Sequence, residues 1–431
     1  SIFSKILKSE NSKNNVLVAN MISIGLNGFV FLIFTSNCLA GLNLLSTASK
    51  ITRPLNQLTT SDKDFIQIAS EHGYLAERHD VTTDDGYILT MFRIPPQNKC
   101  AKKTPLLLMH GLLQAADGFV DMGPEAPGFI LAQECYDVWF GNVRGNYHSR
   151  KHVNLDPDKD LEYWKFSVDE IGLYDIPAMI DHVLTTTDTK KLIYVGYSQG
   201  GGTFLIMNSE RPEYADKISL FIGLAPASRH YHTKSVIFRP VANGINTLQA
   251  PLEAAGVWEI LSEGMPIQGA LNSLCQVELL SAIVCGLLLS LVDSSHPDSV
   301  TPEIERRLIE HAPAGTSTQN CARYGQAMNN PKFVKFDYGS DKNVQVYGNS
   351  EPPEYNLKAV KMPTVIFHGP SDHVVERRDM DWVVGQLPNV LEYVKVEDPL
   401  WNHLDMTYSR YWRQTIFVTM KKYLDKYDSI C

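Results

Sequence analysis

"KLIYVGYSQGGGTFLIMNSE", residues 191–210, decides how the rest of the chain is read. Residues 192–195 are an apolar run of β-type, and residues 200–207 have the small and apolar character of a helix start. Between them the chain passes through Gly196-Tyr197-Ser198-Gln199-Gly200. A turn that sharp crowds the backbone, so the positions two residues either side of its tip must be nearly free of side chain. Packing alone gives no reason to bend there. A serine that must stand exposed at the top of a sheet as a nucleophile does. Gly-x-Ser-x-Gly by itself is common, but flanked by a strand and a helix it is a specific signal of a nucleophile elbow.

A serine hydroxyl is a poor nucleophile without a base within hydrogen-bond reach. In a strand–turn–helix elbow the acid and the histidine follow the serine along the chain, on loops after later strands. "PTVIFHG" (residues 363–369) reads as such a strand, and "PSDHVV" places Asp372 just beyond it. "VLEYVKV" (residues 390–396) reads as the next, and "EDPLWNHLDMTY" places His403 in its loop. His368 ends a strand and His373 adjoins Asp372, so neither readily faces Ser198 while Asp372 supports another ring. Asp398, before Pro399, is the alternative acid. For His110, His230, His232 and His311 the expected roles are structural or solvated.

These groups define a reaction. His403 takes the Ser198 proton as Oγ attacks an ester carbonyl, and Asp372 fixes the imidazole tautomer. The developing oxyanion needs two N–H donors. One is the backbone N–H of Gln199, and "LLLMHGLLQ" (residues 106–114) offers the other at Leu112.

Composition bounds the reading. The chain has 431 residues, 44% of them hydrophobic, enough core for one large domain with an insertion or for two domains. A net charge of -9 and a pI near 5.8 leave no basic surplus for nucleic acid. Lys5, Lys8 and Lys13 precede an apolar stretch, residues 16–34, followed by "TSNCLAGL". Cys38 and Ala40 are small or uncharged, as before a signal-peptidase site, which makes residues 1–40 a signal peptide cleaved before Gly41. An uncleaved anchor is the alternative, since the stretch approaches spanning length, although Asn20, Ser23 and Asn27 interrupt it. Six cysteines follow Cys38, an even number that permits disulfides without dictating them; only Cys275 and Cys285 are close in sequence. No Cys/His spacing suggests a metal, and no Asn-x-Ser/Thr sequon occurs.

Around the elbow, strands alternate with helices. "RHDVTTDDGYILTMFRIP" (residues 78–95) reads as a hairpin with an Asp-Asp-Gly turn. "TPLLLMHG", "YDVWFGNVRG" and "ISLFIGLAP" are short apolar runs of strands buried on both faces. Residues 118–135 hold a helix-like stretch, and "SVDEIGLYDIPAMIDHVL" a helix opened by Ser167 with Glu170 as capping-box partner. "YWRQTIFVTMKKYL" closes the chain as a helix. This is an α/β chain with a mostly parallel central sheet covered by helices on both faces. The alternation stops between residues 229 and 361, a span of apolar helical runs such as "LCQVELLSAIVCGLLLSLV", which reads as an inserted, mainly helical cap or lid. Residues 41–65 form an N-terminal extension, and residues 66–228 and 362–431 the two parts of the core.

Several stretches, collinear over residues 74–408, make the chain resemble the acid lipase family of α/β-hydrolases, of gastric, lysosomal and insect digestive type. They are "DVTTDDGYIL", "HGLL", "GNVRGNYHSRKH", "FSVDEIGLYDIPAMID", "GYSQGG", "APA", "HAPAGTSTQN", "YNLKAVKMPT", the Asp372 segment and "NHLDMTY". The resemblance implies an α/β-hydrolase fold, a catalytic Ser198, Asp372 and His403, oxyanion donors at Leu112 and Gln199, and a cap disulfide matching Cys275 and Cys285. It also implies secretion or lysosomal delivery and hydrolysis of neutral lipid esters at a lipid–water interface, with no metal, cofactor or stable protein partner. An esterase for small soluble esters and a non-catalytic lipid-binding relative are the rival readings. Tyr197 stands where many relatives have His, and is expected to alter the pocket floor. Gly200, Gly201 and Gly202 are smaller than the family's usual residues, which predicts a looser helix start.

Overall fold

Buried strands read as unbroken apolar runs because both of their faces need cover, and the centre of this molecule is built that way. The computed structural model describes residues 64–97, 100–101, 103–262 and 286–428, all within one compact unit spanning residues 59–431. The expected signal peptide, all but the last residues of the N-terminal extension, and the Cys275 and Cys285 pair lie outside the described residues.

The central sheet has nine strands. In chain order they are β1 (Glu77–Thr82), β2 (Tyr87–Ile94), β3 (Leu106–Met109), β4 (Val138–Gly141), β5 (Lys151–His152), β6 (Leu192–Tyr197) and β7 (Ile218–Leu224), followed by two late strands. A separate two-stranded ladder joins β8 (Glu259–Ile260) to β9 (Thr316–Ser317). The late strands of the main sheet are β10 (Thr364–His368) and β11 (Val390–Lys395). The order across the sheet is β1-β2-β4-β3-β6-β7-β10-β11, with β5 paired to β2. From β4 to β11 every pairing is parallel, while β1 and β2 form the antiparallel hairpin expected from the Asp-Asp-Gly turn. The sheet therefore takes its strands only from residues 77–224 and 364–395 among those described.

The helices that matter below are α1 (Phe65–Glu71), α2 (Pro127–Gln133), α3 (Ile176–Thr187), α4 (Gln199–Glu210), α5 (Phe238–Ala254), α6 (Gly286–Val292), α7 (Pro302–His311), α8 (Thr318–Ala327), α9 (Arg377–Gln386) and α10 (Val418–Tyr427). Alternate residues of a strand face opposite sides. Thus Leu192 and Tyr194 of β6 pack with Ile180 of α3, Phe204 of α4 and Val183 on one face. Ile193 and Val195 pack with Phe129 of α2, Met420 of α10 and Phe65 of α1 on the other. The capping box before α3 is formed: Ser167 Oγ accepts from Asp169 N at 3.1 Å and Glu170 accepts from Ser167 N at 2.7 Å. One wider turn, Ile171–Asp175, interrupts that helix before α3.

One expectation is met and one needs correction. The helix-like stretch within residues 118–135 is α2, preceded by short turns, because Pro124 and Pro127 lack the N–H a continuous helix needs and fit only at a first turn. The glycines after Ser198 do not loosen α4. All three are buried, and a Cβ on Gly202 would run into the Ala227 carbonyl, so they let the helix sit flush on the next loop. A disulfide joins Cys100 to Cys135, a pairing that the sequence left open.

Candidate active site

Strand order reverses beside β3: the chain goes from β3 to β4 on one side and to β6 on the other. At such a switch point the loops leaving the carboxyl ends of the two neighbouring strands diverge and open a crevice. Here those loops are residues 110–114 after β3 and the turn at Ser198 after β6. The two approach closely, since a Cβ on Gly111 would stand 3.2 Å from Ser198 Cβ.

Ser198 has φ 49° and ψ -117°, a conformation that costs a non-glycine residue on the order of 1–3 kcal/mol. The surroundings hold it. Its N–H donates to Leu224 O at 3.0 Å, and its carbonyl accepts from the N–H groups of Gly201, Gly202 and Ala227 at 3.0, 3.0 and 2.8 Å. The flanking glycines are required by contact. A Cβ on Gly196 would fall 2.6 Å from the Gly201 backbone, and one on Gly200 would strike the Met109 carbonyl.

Asp372 and His403 lie past the ends of β10 and β11, both buried. Asp372 Oδ1 accepts from Val374 N at 3.0 Å and Val375 N at 2.7 Å, which leaves Oδ2 free to face His403 Nδ1 at 2.7 Å. His403 Nε2 lies 2.8 Å from Ser198 Oγ. A carboxylate facing Nδ1 requires the proton there, so Nε2 carries the lone pair that can accept the Ser198 hydroxyl. Burial disfavours the imidazolium, but the charge and hydrogen bond of Asp372, with the charge of Asp293, outweigh it and raise the His403 pKa. Tyr197 donates its hydroxyl to His403 O at 3.1 Å and packs its ring against the imidazole, so it forms the floor beneath the base.

The rival groups are engaged elsewhere. Asp398 faces His296 at 3.4 Å and accepts from Leu400 N. His368 Nε2 lies 2.9 Å from Val375 O. His110 contacts Gly111 O, His232 pairs with Asp379 and His311 with Asp121. His230 is different: it borders the same cavity as Ser198, with Nδ1 on Val374 O and Nε2 buried without a hydrogen-bond partner among the described residues. Burial lowers its pKa to about 4, so this ring is neutral at physiological pH.

Leu112 borders that cavity too, and Gln199 directly follows Ser198. Neither backbone N–H has an acceptor among the described residues, which leaves both available to a ligand oxygen. Gln114 ties the loop down by accepting from Gly111 N at 3.0 Å, and Ala314 N donates to Leu113 O at 2.8 Å. The Gln199 side chain is anchored on α8 by Asn320 and Tyr324 at 3.0 and 3.1 Å. The cavity measures about 140 Å³ and has a mainly apolar wall that includes Phe238, Val292, Tyr324 and Leu404.

Three contributors escaped the sequence reading. Gln114 ends the very stretch that supplied Leu112 and could have been read from it. His230 was assigned a structural or solvated role by default. Asp293, described below, belongs to no motif.

Comparison with known proteins gives the same architecture. Residues 104–405 match the family described as the alpha/beta hydrolase fold, and residues 65–123 the partial alpha/beta-hydrolase lipase region. Lipase 1 of Drosophila melanogaster is 35% identical over 84% of this chain and 79% of its own length. Gastric triacylglycerol lipase of Homo sapiens is 34% identical over 80% and 86%. Lysosomal acid lipase/cholesteryl ester hydrolase of Macaca fascicularis is 35% identical over 83% and 90%. A solved soluble variant of monoglyceride lipase from Saccharomyces cerevisiae has the same fold, with a TM-score of 0.50 at 15% identity over 82% of this chain and 97% of that one. The chain is a member of the acid lipase family of α/β-hydrolases and, as such, a carboxylic ester hydrolase.

Proposed function

We propose that the chain hydrolyses neutral lipid esters, triacylglycerol or sterol ester, through an acyl-enzyme on Ser198. The observation that carries this reading is the series Asp372 Oδ2, His403 Nδ1, His403 Nε2, Ser198 Oγ, joined at 2.7 and 2.8 Å and ending at a strained turn that borders the cavity. Ser198 Oγ bonds to the ester carbonyl carbon while its proton passes to His403 Nε2, and Asp372 stabilises the resulting imidazolium. The N–H groups of Leu112 and Gln199 receive the oxyanion. The C–O bond to the alcohol then breaks and His403 returns the proton to the leaving oxygen. A water, deprotonated by the same nitrogen, attacks the acyl carbon, and Ser198 leaves with its proton restored.

The lipid substrate is supported by the apolar cavity wall and by the names of the relatives, a triacylglycerol lipase and a cholesteryl ester hydrolase. Residues 229–361 act as a cap: His230, Phe238, Val292 and Tyr324, all from that span, face Ser198 across the cavity. Residues 1–40 direct the chain to the secretory route, either for export or for the lysosome. The Cys100–Cys135 disulfide accords with such an oxidising compartment.

The test compares emulsified long-chain triacylglycerol and cholesteryl ester with a soluble short-chain ester, using wild type and Ser198→Ala. Labelling by a fluorophosphonate and turnover of the emulsions, both lost in Ser198→Ala, are expected. Turnover of the soluble ester alone overturns the lipid assignment, and an unlabelled wild type overturns the nucleophile.

A further inference from the structure

α6 ends at Val292, and the N–H of the next residue, Asp293, closes on Leu289 O at 3.0 Å. A carboxylate at the carboxyl end of a helix gains nothing from the helix dipole and must find donors elsewhere. Asp293 is 1% exposed and finds them in two places at once. Oδ1 accepts from His373 N at 2.8 Å, in the loop of Asp372. Oδ2 accepts from His403 N and from Leu404 N, in the other loop. Ser294 repeats the pattern: its hydroxyl donates to Ser371 O at 2.7 Å and its carbonyl accepts from Asn402 Nδ2 at 2.8 Å. Two consecutive residues from the span between β7 and β10 thus bind the backbone on either side of the acid and of the base.

Both loops need such support, because β10 stops at His368 and β11 at Lys395, short of Asp372 and His403. Among the described residues no lysine or arginine pairs with Asp293. A buried carboxylate without a fixed cation is costly, and here the positive charge that favours it is the one His403 can take up. Burial and the charge of Asp372 raise the Asp293 pKa, against the charge of His403 and the N–H groups of His373 and His403, which favour the carboxylate. Asp293 does not border the cavity, although its neighbours Val292 and Leu404 do.

We propose that Asp293 is a positioning residue for the triad: its carboxylate clamps the Asp372 and His403 loops in register, so the base meets Ser198 only when the segment carrying Asp293 is seated on both. This rests on the triad reading above. The clamp acts through backbone geometry, and an error of about 1 Å at a reacting group is enough to cost on the order of a hundredfold in rate.

The experiment uses the full chain as wild type, Ser198→Ala, Asp293→Asn and Asp293→Glu, with active sites counted by fluorophosphonate end-point labelling. In Asp293→Asn the amide NH2 meets N–H donors and releases one loop. A fall in kcat per labelled site of roughly 10- to 100-fold is expected, with KM on a soluble ester within about twofold. The acid limb of kcat/KM should also move to lower pH, since one of the negative charges that favour the His403 cation is gone. Asp372, His403 and Tyr197 are the titratable groups coupled to Asp293. Asp293→Glu keeps the charge and shifts it by a methylene, so kcat should fall while the acid limb stays in place. Wild-type kcat and an unmoved limb in Asp293→Asn overturn the proposal. If that variant does not fold, wild-type kcat in Asp293→Glu overturns it. A wild type that neither turns over nor labels sinks the triad reading instead.

Discussion

Replacing Asp372 by Asn tests the proposed proton path with the least change of shape. Oδ1 of Asp372 is held by two N–H donors, Val374 at 3.0 Å and Val375 at 2.7 Å, and in Asp372→Asn that place selects the amide oxygen. The NH2 must then occupy the Oδ2 position, 2.7 Å from His403 Nδ1. An amide NH2 only donates, so Nδ1 becomes an acceptor and the imidazole proton moves to Nε2. That nitrogen, 2.8 Å from Ser198 Oγ, now presents a hydrogen and cannot take one. A triad trapped in the wrong tautomer loses about 10⁴-fold in kcat, which corresponds to about 5.5 kcal/mol of transition-state stabilisation. The assay is kcat on a soluble ester, with circular dichroism and the melting temperature to show that the fold is intact. A folded Asp372→Asn enzyme within tenfold of wild type would refute the assignment of Asp372 as the group that sets the tautomer.

Gly200→Ala places a methyl against the Met109 carbonyl, on backbone that cannot swing aside, and should lower stability by about 1–3 kcal/mol, read as a lower midpoint in denaturant; an unchanged midpoint contradicts the close packing of elbow and β3. Stability should also fall as pH rises from 6.5 to 8.5. Burial holds the carboxyls of Asp293 and Glu170 up to about 7, and Asp121, against the effect of burial, raises His311 to about 10. All three bind more protons folded than unfolded in that window, whereas buried His110 and His230, lowered to about 4, oppose them only in its lowest part, where the unfolded rings, with a pKa of about 6.5, still carry some proton. A melting temperature that rises across the window contradicts this.

The elbow was legible because its chemistry and its backbone demands are local: a strained serine needs glycines two residues away on each side, and the sequence carries both. Asp372 and His403 were legible because each follows a short apolar run that reads as a strand, β10 buried throughout and β11 half-buried at the sheet edge. Asp293 was not. Its partners are backbone N–H groups 80 and 110 residues away, and a backbone donor leaves no mark in the sequence. Cys100 and Cys135, 35 residues apart, meet only because α2 ends beside the connection into β3, a fact of tertiary packing. The helix-like stretch within residues 118–135 was legible too, and the prolines at 124 and 127 set where α2 can start.

The site divides into two halves with different foundations. Ser198 and the Leu112 loop leave adjacent central strands, β6 and β3, whose parallel register continues to Gly196 opposite Met109. Four backbone hydrogen bonds at Ser198, each worth roughly 1 kcal/mol, are enough to offset the strain of its turn. Asp372 and His403 leave the parallel pair β10 and β11, but that register ends at His368 opposite Lys395, well short of both residues. Their loops hang from β10 and β11 and are fastened by residues from the inserted span: Thr233, Lys234 and Ser235 on the His373 carbonyl, and Asp293 and Ser294 on both loops. On the proposed reading, a disturbance of residues 229–361 would therefore move the loops of Asp372 and His403. It would reach the other half through Ala314 on Leu113 and through Asn320 and Tyr324 on the Gln199 side chain, while the Ser198 backbone keeps its four hydrogen bonds to residues outside that span.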